Sequence, residues 1–243
     1  MKIIMALLAC LPLLSVQAQV DHGVFNKLLN EHVDISGGVN YKNLREDSSK
    51  LNRYIEALEI NVPQKEWSQE VQLTYWINAY NALTLQLVLK YYPINSIKDI
   101  GSTIQIPYFN TPWDIELFNY KGKQLSLNNI EHNIIREDFE EPRIHFALVC
   151  AAVSCPSLRN EAYDPTRLNE QLSDQSTLFL ADKSKNMVGE KKLILSKLFN
   201  WYGGDFRKNG SIVDFISPYA EVAIDAKAKI SFMDYNWDLN EQE

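Results

Sequence analysis

Cysteine is scarce in this 243-residue chain. There are three, and two of them, Cys150 and Cys155, stand five apart in the stretch RIHFALVCAAVSCPSL, residues 143–158. Histidine is almost as rare, at four. Two cysteines and two nearby histidines could supply four zinc ligands, but the CxxxxC spacing disfavours such a site, and no metal or other cofactor is expected. Positive charge is in deficit: 24 Lys and Arg face 31 Asp and Glu, for a net charge of −7. That balance argues against nucleic acid or an anionic membrane surface as partner. There is no internal repeat and no low-complexity tract. Beyond the first residues, no run reaches the ~20 apolar residues that span a bilayer. What the chain does have is length for one substantial core and an aromatic share of 11 %, which suits a packed globule and not a disordered chain.

The one long apolar run is at the start, MKIIMALLACLPLLSVQAQV. A single charge, Lys2, precedes Ile3 to Val16, and Val16-Gln17-Ala18 offers small residues where a signal peptidase reads. Residues 1–18 are therefore expected to be a signal peptide, and residues 19–243 a single exported domain, periplasmic or secreted. Leu7-Leu8-Ala9-Cys10 resembles a lipobox, but the apolar LPLLSV after it disfavours a lipid anchor at Cys10. The compartment would be oxidising, so a structural disulfide between Cys150 and Cys155 has to be weighed. A loop this short would contribute about 2 kcal/mol at most.

Helical spacing of Val24, Phe25, Leu28, Leu29 and Val33 predicts an opening helix, followed by a turn at Gly37-Gly38. EDSSKLNRYIEALEI predicts a second helix capped by Ser48 or Ser49. SQEVQLTYWINAYNALTLQLVLKYYP carries the strongest helix signal, with Ser68 as cap and Pro93 beyond its end; it is apolar nearly all round and so should be central. Tyr120-Lys121-Gly122-Lys123 reads as a hairpin turn, and Ser126 as the cap of a helix whose buried stripe is Leu127, Ile130 and Ile134. Ile144, Phe146 and Leu148 alternate with Ala147 and Val149, which predicts an interior strand ending at Cys150. A helix capped by Asp164, a strand running into a short helix that stops at Gly203-Gly204, and a late strand in AKISFMDYNWDLN complete the chain. The mixture lacks strict βα alternation, so the expected class is α+β, with mixed helices around a small central sheet.

Chemistry concentrates in three places. Cys150 would sit at a strand end, a common position for functional groups, while strand alternation would send His145 to the opposite face. Glu131 falls on the apolar stripe of its helix, where a carboxylate must be paired or protonated; Arg136, Arg143 and Arg159 are its candidate partners. His132 lies on the flank of that helix, and an imidazole beside a thiol promotes the nucleophilic thiolate. Asn78 and Asn81 lie on the central helix, either stitching a neighbouring loop or, in the case of Asn81, orienting a catalytic imidazole.

YWINAYNALTL, IEHNIIRED, RIHFALVCAAVSCPSLR with Tyr163 after it, LFNWYGGDF and YNWDLN together resemble the family called domain of unknown function 547, from about Leu73 to Leu239. The resemblance implies a retained Glu-His pair at Glu131-His132, an arginine at Arg136 and a cysteine at Cys150. It implies variation in the plant branch at the positions of Cys155 and His145, so it favours Cys150 as the functional thiol. Exported bacterial members are common in the family. No reaction comes with the resemblance.

The leading expectation is a thiol-dependent hydrolase or acyl-transferase, papain-like or transglutaminase-like in character. Cys150 would be the nucleophile, His132 the base, Glu131 or Asn81 the orienter, and backbone N–H groups of CAAVSC the oxyanion donors. Its substrate would be a small molecule or a peptide-like amide. Two rivals stand beside it: a non-catalytic binding module, and a dithiol redox protein that uses Cys150 with Cys155.

Overall fold

A computed structural model describes residues 19–101 and 110–242. The expected signal peptide and Cys10 lie outside the described residues.

Four helices open the fold: α1 (Gly23–His32), α2 (Tyr41–Glu46), α3 (Ser48–Ile60) and α4 (Gln69–Tyr91). Helix α2 is an addition to the expected elements. It starts where the Asn40 side chain accepts from the Asn43 N–H, a capping geometry with ordinary helix-start chemistry. The cap position of α3 is Asp47 and not a serine. Helix α4 starts as its sequence predicts, with Ser68 Oγ accepting from Val71 N–H and Glu70 in the first turn. It is the central element: every residue from Leu73 to Leu85 is buried, as an all-round apolar helix must be.

Strands β1 (Glu116–Tyr120) and β2 (Lys123–Ser126) pair antiparallel around the predicted turn, where Lys121 and Gly122 both take positive φ. Ser126 then caps a continuous helical stretch made of α5 (Leu127–Ile130), a π-turn (Glu131–Ile135) and α6 (Arg136–Asp138). The π-turn shifts the phase of the buried stripe. Ile135 is fully buried and Ile134 only partly so, one residue later than a 3.6-residue period predicts.

The predicted strand over residues 143–150 does not form. Pro142–Phe146 is a 3₁₀ turn with Pro142 at its start and the Glu141 carboxylate accepting from Arg143 N–H. The Ala147 and Leu148 amides both donate to the Ile144 carbonyl, so the backbone is satisfied locally. A short run that is apolar on every side has no period, and periodicity alone cannot tell its conformation.

The chain continues through α7 (Leu168–Ala181), β3 (Met187–Val188), β4 (Lys192–Leu195), α8 (Leu198–Trp201), α9 (Gly203–Phe206), α10 (Ile212–Ile216) and β5 (Lys229–Phe232). Asp164 binds the Thr166 amide and hydroxyl ahead of α7 and does not cap it directly. Gly203 starts α9, where a stop was expected. Strand β4 pairs antiparallel with β3 and parallel with β5. The class is α+β, with small sheets of two and three strands.

Two hydrophobic clusters result. The larger is built on α1 to α5 and takes in β1 and β2; the smaller joins α7 to α10 and β4 around Phe146. The 3₁₀ turn bridges them, since Ile144 packs in the first and Phe146 in the second, and Tyr235 packs against both. No helix among the described residues is long and apolar enough to cross a membrane.

Candidate functional site

The turn after the 3₁₀ element closes the two cysteines on each other. Cys155 N–H donates to the Ala152 carbonyl, and Ala151 takes a left-handed φ of 56° to make the reversal. Cys150 N–H donates to Cys155 Sγ at 2.8 Å, and the two sulfurs lie 2.7 Å apart. Both are free thiols. Tyr235 Oη lies 3.2 Å from Cys150 Sγ. The segment carrying Tyr235 is clipped to the turn along its length. Val153 N–H donates to Asp238 O, Ser154 N–H to Asn236 O, and Asn236 N–H to Ser154 Oγ.

The two thiols have opposite acidities. Burial drives the Cys150 thiol well above its ordinary range, and its neighbour Cys155 adds to the rise. Burial also works against the Cys155 thiolate, but hydrogen bonds from the Cys150 thiol, the Cys150 amide and Tyr235 outweigh it and bring Cys155 down. The pair therefore shares a proton, with Cys150 as donor and Cys155 as the thiolate side.

A cavity of about 170 Å³ opens beside this pair, and Cys150, Cys155, Glu131 and His145 all line it. The expected separation of His145 from Cys150 thus falls with the strand that implied it. His145 is held by Asp205, whose Oδ2 lies 2.8 Å from Nε2, and it stacks on the Tyr202 ring at 3.9 Å. Burial lowers the His145 pKa in spite of Asp205, so the ring is neutral and donates through Nε2–H. Asp205 itself is held far below the usual carboxylate range, first by the His145 bond and then by Arg136, against the cost of desolvation.

Glu131 is 6 % exposed. Tyr80 donates to its Oε2 at 3.2 Å, and Tyr202 also bonds it. None of the three candidate arginines forms its ion pair with Glu131. Arg136 forks onto Asp205 through Nε and Nη2, Arg143 onto Glu141, and Arg159 onto Glu161 and Asp174. His132 is half-exposed and outside the cavity lining, and its Nδ1 meets Arg136 Nη1 at 3.1 Å. The π-turn carries Glu131 inward and leaves its neighbour on the flank.

Asn81 is spent on backbone. Its Nδ2 donates to Ala147 O and its Oδ1 accepts from Val149 N–H, while Asn78 makes the same two-way bond to Tyr163. Asn81 therefore fixes the segment that leads into Cys150, and it holds no imidazole. Among the described residues, the one cluster with metal-binding side chains close enough to share an ion is Glu31, His32 and Asp47, on other elements, and Lys50 occupies one Asp47 oxygen. The cysteines are not part of it.

Asp205, Tyr202, Tyr235 and Tyr80 were not singled out from the sequence. A usable signal existed for the first two: an acid placed after two glycines inside the aromatic stretch LFNWYGGDF.

A family model described as "Protein of unknown function, DUF547" matches residues 64–180. The matched segment contains Glu131, His132, Arg136, His145 and both cysteines; Tyr202, Asp205 and Tyr235 lie beyond it. No curated protein matches the chain, and no solved structure does.

Proposed function

Since the chain belongs to the DUF547 family, whose description assigns no reaction, we propose from its own geometry that it is a thiol–disulfide exchange protein acting through Cys150 and Cys155. The observation that carries this reading is the hydrogen-bonded pair of free thiols, 2.7 Å apart, at the wall of a cavity. Cys150 is the more exposed of the two. Its proton passes to the Cys155 thiolate as Cys150 Sγ attacks, so Cys155 acts as the base for the step. It attacks one sulfur of a substrate disulfide; the S–S bond breaks and a mixed disulfide forms as the first substrate thiolate leaves. Cys155 then attacks Cys150 Sγ, and the second substrate thiolate leaves. The substrate disulfide is reduced to two thiols, the protein pair is oxidised to a disulfide, and the products take up the one proton shared by the pair and one from solvent. An export segment over residues 1–18 would put this chemistry in an oxidising compartment.

The test is equilibration of the protein, without residues 1–18, in a series of glutathione redox buffers, followed by unfolding, alkylation and mass mapping. The expected result is a two-electron transition in which Cys150 and Cys155 lose reactivity together, and its loss in Cys155→Ser. Two thiols that stay alkylatable in the most oxidising buffer would overturn the reading.

A second reading has its own support, because Glu131 and His145 line the same cavity as Cys150. It is a hydrolase or acyl-transferase with Cys150 as nucleophile and these two groups, in place of His132, as acid–base candidates. Cys155→Ser separates the two: turnover of an activated ester would survive in a hydrolase, whereas exchange needs both sulfurs.

A further inference from the structure

The cavity next to the thiols has walls that neither reading explains. Among the described residues, six aromatic side chains line it: Tyr80, Trp113, Trp201, Tyr202, Tyr235 and Trp237. They brace each other. Tyr235 and Trp237 have ring centroids 4.6 Å apart, Trp201 sits 4.9 Å from Tyr235, and Trp113 meets Trp237 edge-on at 5.7 Å. Trp201 is nonetheless 46 % exposed, so a costly ring is held at the mouth of the cavity without being sealed into a core.

Among the described residues, the only carboxylate on the lining is Glu131. A buried carboxylate costs several kcal/mol, on the order of a full desolvation penalty, unless a positive partner offsets it. Its hydrogen-bond donors are the neutral phenols of Tyr80 and Tyr202. The His132 Nδ1 lies 4.0 Å from Glu131 Oε1 but accepts from the Arg136 guanidinium, so it supplies no proton to the carboxylate. Arg136 feels Glu131 at longer range, but its guanidinium is committed to Asp205 in a two-pronged pair. His145, the other ionisable nitrogen on the lining, is kept neutral by burial. The cavity therefore presents a carboxylate at the end of a box of π faces. That combination attracts an organic cation and discriminates against anions and plain hydrocarbons. Two of the rings already accept the protein's own cations: Lys98 Nζ lies 5.1 Å from the Trp237 centroid, and the Arg136 guanidinium 5.3 Å from that of Tyr202.

We propose that this cavity binds a small organic ammonium group between Glu131 and the aromatic walls, and that the substrate of the Cys150–Cys155 pair is an ammonium-bearing disulfide. The second half rests on the exchange reading above; the first half does not need it. The exchange step is the one already written, with the amine chain held in the box while its sulfur faces Cys150.

The probe for the first half is choline, set against its neutral carbon isostere 3,3-dimethylbutan-1-ol, with tryptophan fluorescence as readout since three tryptophans line the cavity. Choline is expected to titrate saturably, with the isostere weaker by about tenfold or more. Glu131→Gln should lower choline affinity about tenfold, and Trp201→Ala, at an exposed position, should lower it without loss of fold. Equal titration by the two probes, or no saturable change with choline, would overturn the site. Cys150→Ser with Cys155→Ser should still bind choline.

The second half compares two disulfides, cystamine and bis(2-hydroxyethyl) disulfide, as oxidants of the reduced pair. Cystamine should react faster in the wild type and lose that advantage in Glu131→Gln. Equal rates in the wild type overturn the substrate assignment. If choline binds but neither disulfide oxidises the pair, the exchange reading fails and the cation site stands.

Discussion

His145 Nε2 and Arg136 Nε converge on one oxygen, Oδ2 of Asp205, at 2.8 and 2.7 Å. This carboxylate links the helix after β2, the 3₁₀ turn ahead of the cysteines, and α9. It also orients the imidazole, which burial keeps neutral in spite of the carboxylate. Four predictions follow from this and neighbouring contacts.

The first concerns pH. Burial lowers the pKa of His145 and takes that of His22, which bonds Tyr54 Oη at 2.7 Å, down to about 4. Each imidazole takes up its proton at lower pH in the folded chain than in the unfolded one. The stability they contribute is full above the unfolded value near ~6.5 and is lost as pH falls towards the folded value. For His22 the window runs from ~6.5 down to about 4. Urea midpoints should fall across it at roughly 1 kcal/mol per pH unit per group, and His22→Gln should flatten the slope. A pH-independent midpoint between 7 and 4 would rule this out.

The second concerns the thiols. Tyr235 Oη lies 3.2 Å from Cys150 Sγ and helps to pull Cys155 down. Tyr235→Phe removes that donor, so the first thiol of the pair should ionise at higher pH. Thiolate absorbance near ~240 nm, or the pH midpoint of iodoacetamide reaction, reads the shift. A midpoint that moves down would mean the hydroxyl was accepting and not donating.

The third concerns the reversal between the sulfurs. Ala151 has φ 56°, a region that costs a non-glycine residue about 1 kcal/mol. Ala151→Gly should leave thermal stability unchanged or raise it, while Ala151→Val should lower it by about 1–3 kcal/mol. The same pair of variants should bracket the reactivity of Cys150, because the turn sets its approach to Cys155.

The fourth concerns Asn81. Its two bonds satisfy a buried carbonyl at Ala147 and a buried amide at Val149. Asn81→Ala leaves both unpaired and should cost about 2–4 kcal/mol by chemical denaturation. A loss below ~0.5 kcal/mol would show that water replaces the side chain.

Much of the frame was legible because its signals are local. Ser68 and Ser126 announce α4 and α5, the Lys121-Gly122 turn announces β1 and β2, and α4 is buried on all sides as its composition requires. Where the backbone departs from a regular period, legibility stopped. The π-turn moved burial from Ile134 to Ile135, and the all-apolar run after Pro142 coiled where alternation implied extension. That second departure mattered most, since it decides whether His145 and Cys150 share a face. Glu131 was recognisable as a buried acid from its helical phase, but its partners were not. Tyr80 and Tyr202 come from two distant elements, and no spacing rule connects them to it.

The approach of Tyr235 to Cys150 crosses 85 positions of sequence, whereas Cys155 reaches it across five. The reactive pair is thus a short-range device and its surroundings a long-range one. Residues 64–180 alone, the span the family model covers, hold both sulfurs and Glu131 but neither Trp201, Tyr202, Tyr235 nor Trp237. On the exchange reading, a fragment cut to that span would keep its reagent and lose its filter, with the thiols open to any partner that reached them.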